Sequence, residues 1–179
     1  MEKKVTYGSL LKYGLLLGLM SMVFSLIKIY LRNFTDKDLW SVFMLLETAT
    51  VVFFVYCAIR FAAKQIYATN YSFAKGVKVA LFVGFIAAVL ASIYQYVEMR
   101  YIIPEVYQEQ IEIAIESAIE KGLPAGSEST IQTMFWVFGA IFAFFISFLT
   151  SLLASFFIAP FFKKRQIINS EENSSLDNQ

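Results

Sequence analysis

Four stretches of the chain remain apolar for longer than a soluble helix or strand requires. They run from about residue 10 to 31, 39 to 63, 73 to 103 and 131 to 162. A helix crossing the hydrocarbon core needs about 20 mostly apolar residues. Each stretch is therefore expected to be a membrane-spanning helix, and the fold an all-α bundle of four. Polar interruptions are few: Lys12 and Lys28 lie near the ends of the first run, and Glu47 is the only acid of the second. No charge falls inside the fourth. Thr35 with Asp38, and Ser129 with Gln132, have the capping-box spacing that satisfies orphaned N–H groups where a helix begins. Pro104 ends or sharply bends the third helix, because the residue before a proline is pushed out of the α region. Pro160 is expected to bend the fourth or to end it early. Lys3 and Lys4 before the first run give it a signal-peptide look. No small-x-small cleavage site comes after it, so this run is read as retained.

Between the third and fourth runs lies a different pattern. Glu105, Glu109, Glu112, Glu116 and Glu120 recur every three or four residues and form one stripe on a helix. Tyr107, Ile111, Ala114, Ile115 and Ala118 take the opposite face. Gly122 and Pro124 come next as stop signals. An amphipathic acidic helix over about 105–121 is expected, outside the membrane. Its acids either face water while its apolar face packs on the bundle, or they form a surface for divalent cations or a partner.

The spans also carry a second periodicity. Gly76, Ala80, Gly84, Ala88 and Ser92 step by four along the third run. Gly139, Ala143, Ser147, Ser151, Ser155 and Ala159 do the same along the fourth, and Gly14, Gly18, Ser21 and Ser25 line one face of the first. Lipid offers helices no hydrophobic drive toward one another, so close packing relies on such small residues. The third and fourth helices are expected to pack through their ridges. Homodimerisation through Gly14 and Gly18 is the alternative use of the first. Both long runs exceed the hydrocarbon thickness, so they either tilt steeply or project beyond it.

Composition narrows the chemistry. The chain is 58% hydrophobic and only 16% charged, against roughly a quarter charged in soluble domains. Its mean hydropathy is +0.61. It contains no histidine, which removes the commonest general base and zinc ligand. A single cysteine, Cys57, excludes an intrachain disulfide. A net charge of +1 argues against nucleic-acid binding. The expectation is a protein that is not an enzyme and uses no cofactor or metal, with catalytic residues absent.

Basic residues set the orientation. Ten of them, including Lys3, Lys4, Arg60, Lys64, Lys75, Lys78, Lys163, Lys164 and Arg165, fall on the side of the two termini. Five fall on the other. The positive-inside rule then places both termini in the cytoplasm of a multi-pass inner-membrane protein. Residues 1–168 form one integral membrane domain, and 169–179 are expected to be a disordered tail. Trp40 and Trp136 fall near the outer interface, where indoles prefer to lie.

One acid stands out by depth. Glu47 lies about 12 Å into its span by helix rise, where an unpaired carboxylate costs on the order of 2.5–3.5 kcal/mol. Lys28 is the best partner within the chain; protonation with a hydrogen bond to Tyr94 or Gln95 is the other structural solution. The functional alternative is a proton- or cation-responsive site. Glu98 and Arg100, at the end of the third helix, are expected to pair with each other or with neighbours.

The segments YSFAKGVKVALFVG at 71–84 and YIIPEVYQEQIEIAIESAIEKG at 101–122 resemble a bacterial membrane family typical of the Bacteroidetes, the domain of unknown function four-one-nine-nine. The resemblance covers nearly the whole chain and implies a four-helix integral membrane protein. It implies no activity, substrate or catalytic residue. Three functions remain open from the sequence. The first is a non-enzymatic structural or accessory membrane component, with membrane lipid, other membrane proteins or further copies of the chain as partners. The second is a small transporter or channel using Glu47 and Lys28. The third is an envelope sensor using the acidic helix.

Overall fold

The computed structural model describes residues 8–31, 37–67, 70–122, 124 and 126–176, with the side chains of these outside 37–40 and 163–176. Five α-helices occur among the described residues: α1 (Gly8–Leu31), α2 (Lys37–Phe61), α3 (Phe73–Val97), α4 (Pro104–Glu120) and α5 (Glu128–Leu176). No strand is found among them. Wider π-helical turns extend α2 through Ala62–Ile66 and α3 through Glu98–Ile102. Four segments are long and apolar enough to cross a membrane: Gly8–Leu31, Ser41–Ile66, Phe73–Ile102 and Glu128–Phe162. Their outward faces carry large apolar side chains such as Leu19, Leu45, Phe53, Phe85, Phe142 and Phe157. Exposure on this scale is what lipid, rather than water, accepts.

Close approaches set the directions of the helices. A methyl added to Gly76 would meet the Ala159 side chain, and one on Gly84 would meet Ser151, so α3 and α5 run antiparallel. Gly14 lies against Ile86 and Gly18 against Leu90, at the same offset, so α1 and α3 run parallel. Tyr13 packs against Phe61 with ring centroids 5.9 Å apart, and Lys28 reaches Glu47, so α2 returns antiparallel to α1. α3 is the central strut, with its most extensive contacts to α5 and α1.

The two small-residue ridges meet along α3 and α5. Gly76, Ala80, Gly84 and Ala88 are buried, as are Ser151, Ser155 and Ala159. Small residues allow this approach, and the serine hydroxyls are satisfied within their own helix. Ser151 donates to the Ser147 carbonyl at 3.1 Å and Ser155 to that of Leu152 at 2.6 Å. Such internal bonds make polar groups tolerable where water is absent. Gly139 lies against Met99, while Ala143 and Ser147 are half-buried. Gly14 and Gly18 are buried against α3, so their face is filled within the chain.

Three expectations change. The start of α5 is set at Ser127, whose carbonyl accepts from Thr130 and Ile131, rather than at Ser129, which lies inside the helix. Pro160 does not end α5, whose helix passes through it to Leu176. The tail from Asn169, read as disordered, therefore begins as helical backbone. The Thr35–Asp38 pair and the Trp40, Lys163, Lys164 and Arg165 side chains lie outside the described residues.

Packing is uneven along the bundle. A buried apolar cluster gathers Leu10, Val55, Ile59, Val79, Val83 and Ile158 toward the end where α1 begins. Tyr56 and Tyr71 both pack on Phe162 there, with ring centroids 5.5 and 6.3 Å away. The end that carries α4 is more open.

Candidate functional site

The opening at the α4 end is a cavity of about 920 Å³ bounded by α1, α2, α3, α4 and α5. Its α5 wall is aromatic, with Phe135, Phe138, Phe142 and Phe145. Its other walls bring hydrogen-bonding groups, among them Ser25, Lys28, Glu47, Tyr94, Gln95 and Tyr107. At the opposite end α2 and α5 close on each other through Tyr56 and Phe162.

Lys28 donates to Glu47 at 2.5 Å across the α1–α2 contact, with side chains 15% and 29% exposed. Glu47 is thus paired, and both partners line the cavity. The alternative hydrogen bond from Tyr94 or Gln95 to Glu47 is not formed. Gln95 instead donates to the Tyr107 hydroxyl at 3.4 Å.

A second polar group sits beside the first. Glu98 is 5% exposed. Ser25 of α1 donates to one of its oxygens at 2.5 Å and Tyr107 of α4 to the other at 3.1 Å. One carboxyl therefore ties three helices together. Local chemistry explains how it is aimed. Pro104 forces Ile103 out of the helical region, to φ −137° and ψ 55°. The preceding turn widens, and the Ile103 N–H bonds to the Glu98 carbonyl at 3.0 Å, five residues back. Turns of this kind recur at functional sites. Pro104 itself sits in the first turn of α4, where its missing N–H costs nothing.

Glu98 does not pair with Arg100. Arg100 is exposed and donates to the Tyr96 hydroxyl at 2.6 Å, with its guanidinium 5.0 Å from the Trp136 ring centre and 5.3 Å from that of Tyr101. The Tyr94 hydroxyl is buried in the cavity wall and faces Ser25 and Glu98 without a well-formed hydrogen bond. No sequence pattern hints that Ser25, Tyr94, Glu98 and Tyr107 converge. The nearest thing to a signal is an acid at a helix end with, past a proline, a tyrosine on an apolar face.

The acidic stripe of α4 is exposed at Glu105, Glu109, Glu112, Glu116 and Glu120, and its opposite face buries Ile111. Among the described residues, no three histidine, cysteine, aspartate or glutamate side chains are grouped closely enough to hold a metal ion.

Four apolar helices around a partly polar cavity define a multi-pass helical membrane protein. The chain belongs to the family described as Protein of unknown function (DUF4199), whose model matches residues 12–164. No curated protein and no solved structure matches it.

Proposed function

We propose that this protein is a non-enzymatic accessory component of a bacterial inner membrane, with both termini in the cytoplasm and α4 outside, and that it works by receiving a membrane-dissolved guest beneath α4. The cavity of about 920 Å³ carries this reading. Its size lies at the upper end of the roughly 300–1,000 Å³ typical of ligand sites. Its make-up also fits, because an apolar wall with a few convergent polar groups is the usual lining of such sites. The tightly packed ridges of α3 and α5 supply a rigid floor. The basic excess on the terminal side supports the orientation. In that orientation the acidic face of α4 meets water or another envelope component.

Ala91 and Ala143 stand in the α3 and α5 walls, so Ala91→Phe and Ala143→Phe each fill the space. Native mass spectrometry of protein released from native lipid particles should show about one retained small molecule per chain, lost in both variants. Bulk phospholipid alone, unchanged in the variants, would count against the reading. A second reading, a small transporter or channel, draws on the Lys28–Glu47 pair in the cavity wall. It predicts proteoliposome flux that Glu47→Gln alters; absent or unaltered flux ends it.

A further inference from the structure

Resting on that reading, we propose that the guest is a single-tailed amphiphile with an ammonium head, held by its tail against the phenylalanines of α5 and by its head beside Tyr94 and Ser25.

The charge balance of the cavity favours a cation. Lys28 is matched by Glu47 at 2.5 Å. Glu98 lies directly behind Ser25 and Tyr107, takes hydrogen bonds from both, and makes no ion pair among the described residues. At the polar end, Glu47 in the wall and Glu98 just behind it thus stand against one ammonium, that of Lys28. Arg100, two residues on from Glu98, points to the surface and is engaged by Tyr96, Tyr101 and Trp136. An opposite charge favours the ionised form of a nearby carboxyl, and in a low-dielectric interior that pairing is not screened by water. A cationic guest gains from that pairing, an anionic one is repelled, and a neutral one is indifferent.

Hydrogen bonding agrees. The unpartnered Tyr94 hydroxyl and the Ser25 hydroxyl both stand in the wall, and each oxygen can accept from an ammonium N–H. Ser25 donates its own proton to Glu98, so the cation is linked to the carboxyl through one hydroxyl. Aromatic faces add attraction for a cation that has left water. Size sets the tail. At about 920 Å³ the cavity has room for one long chain with its head.

The test uses the full chain in phosphatidylcholine nanodiscs with dodecylamine, dodecanol and dodecanoate as probes, each titrated and read as a one-to-one adduct by native mass spectrometry. Dodecylamine should bind about tenfold tighter than dodecanol, and dodecanoate more weakly than either. Glu98→Gln should bring the amine close to the alcohol and leave the alcohol unchanged. Tyr94→Phe should weaken the amine more than the alcohol, because a charge-assisted hydrogen bond is the stronger, which preserves the comparison if Glu98→Gln fails to fold. Equal amine and alcohol affinities in the wild type, or an amine preference that survives both variants, would overturn the ammonium assignment while leaving a guest-binding cavity. Failure of all three probes to saturate, or binding that Ala91→Phe does not reduce, would remove the cavity reading along with it.

Discussion

Tyr71 sits where the α2–α3 connection meets α5, and its hydroxyl donates to the Ala159 carbonyl at 3.2 Å. It fits there because Gly76 lacks a side chain: a methyl at that position would collide with the phenol oxygen. One glycine thus serves two ends, admitting the phenol and letting α3 close on Ala159. Burial disfavours the phenolate and pushes the Tyr71 pKa from 10.0 to about 12. Between pH 10 and 12 the folded chain keeps a proton that the unfolded chain releases. The stabilisation is complete below about pH 10 and is lost as pH rises through about 12. Tyr71→Phe should cost about 1 kcal/mol at neutral pH through the lost hydrogen bond. It should also flatten the fall in melting temperature between pH 10 and 12, measured side by side in detergent. Equal slopes would show that Tyr71 does not titrate as a buried group. The spacing of Gly76 within its ridge was readable from the sequence. Its service to Tyr71 was not, because periodicity reports a face and never the neighbour that fills it.

α4 shows the same division at the scale of an element. Its stripe of acids, its apolar face and its start at Pro104 are local signals, and the chain displays them openly. The clasp beneath it depends on the widened turn at Glu98–Ile102. One residue added to a helical turn rotates every later residue by about 100° relative to regular spacing. A regular helical wheel therefore misplaces the groups that follow this turn; Glu98 and Arg100, only two residues apart, point to different sides on any helix, and Glu98 meets Ser25 and Tyr107. Tyr107 and Ile111, one turn apart on the same face, together hold α4 to the bundle. Tyr107→Phe removes the donated bond and keeps the ring. The α4 amides should then exchange hydrogen about fivefold faster, the equivalent of about 1 kcal/mol, with α3 and α5 unchanged. A uniform rise across all helices would point instead to general destabilisation, and no rise at all would mean that the clasp does not hold α4.

At the scale of the whole molecule the four spans were legible because each is a long, local, repetitive pattern, and the ridges because lipid leaves helices few other ways to pack. The cavity was not, since a void depends on the distances among several helices and no single segment encodes it. Its position nonetheless gives the orientation of the chain a consequence. The cavity lies at the α4 end, so the side on which α4 stands decides which leaflet supplies the guest. Lysine and arginine favour one outcome: the α2–α3 connection carries Arg60, Lys64, Lys75 and Lys78 with no acid among residues 60–78, whereas α4 has five exposed glutamates. Translocating the basic connection opposes the charge bias of insertion, while acids weigh little in it. Single cysteines in a Cys57→Ser background test this directly. Glu116→Cys should react with an impermeant maleimide added to intact spheroplasts, and Lys64→Cys only after permeabilisation. The opposite pattern would place α4 in the cytoplasm, and the guest would then have to enter from the inner leaflet. Labelling of both sites in intact spheroplasts would contradict an odd number of crossings between them, and with it the assignment of α3 as a span.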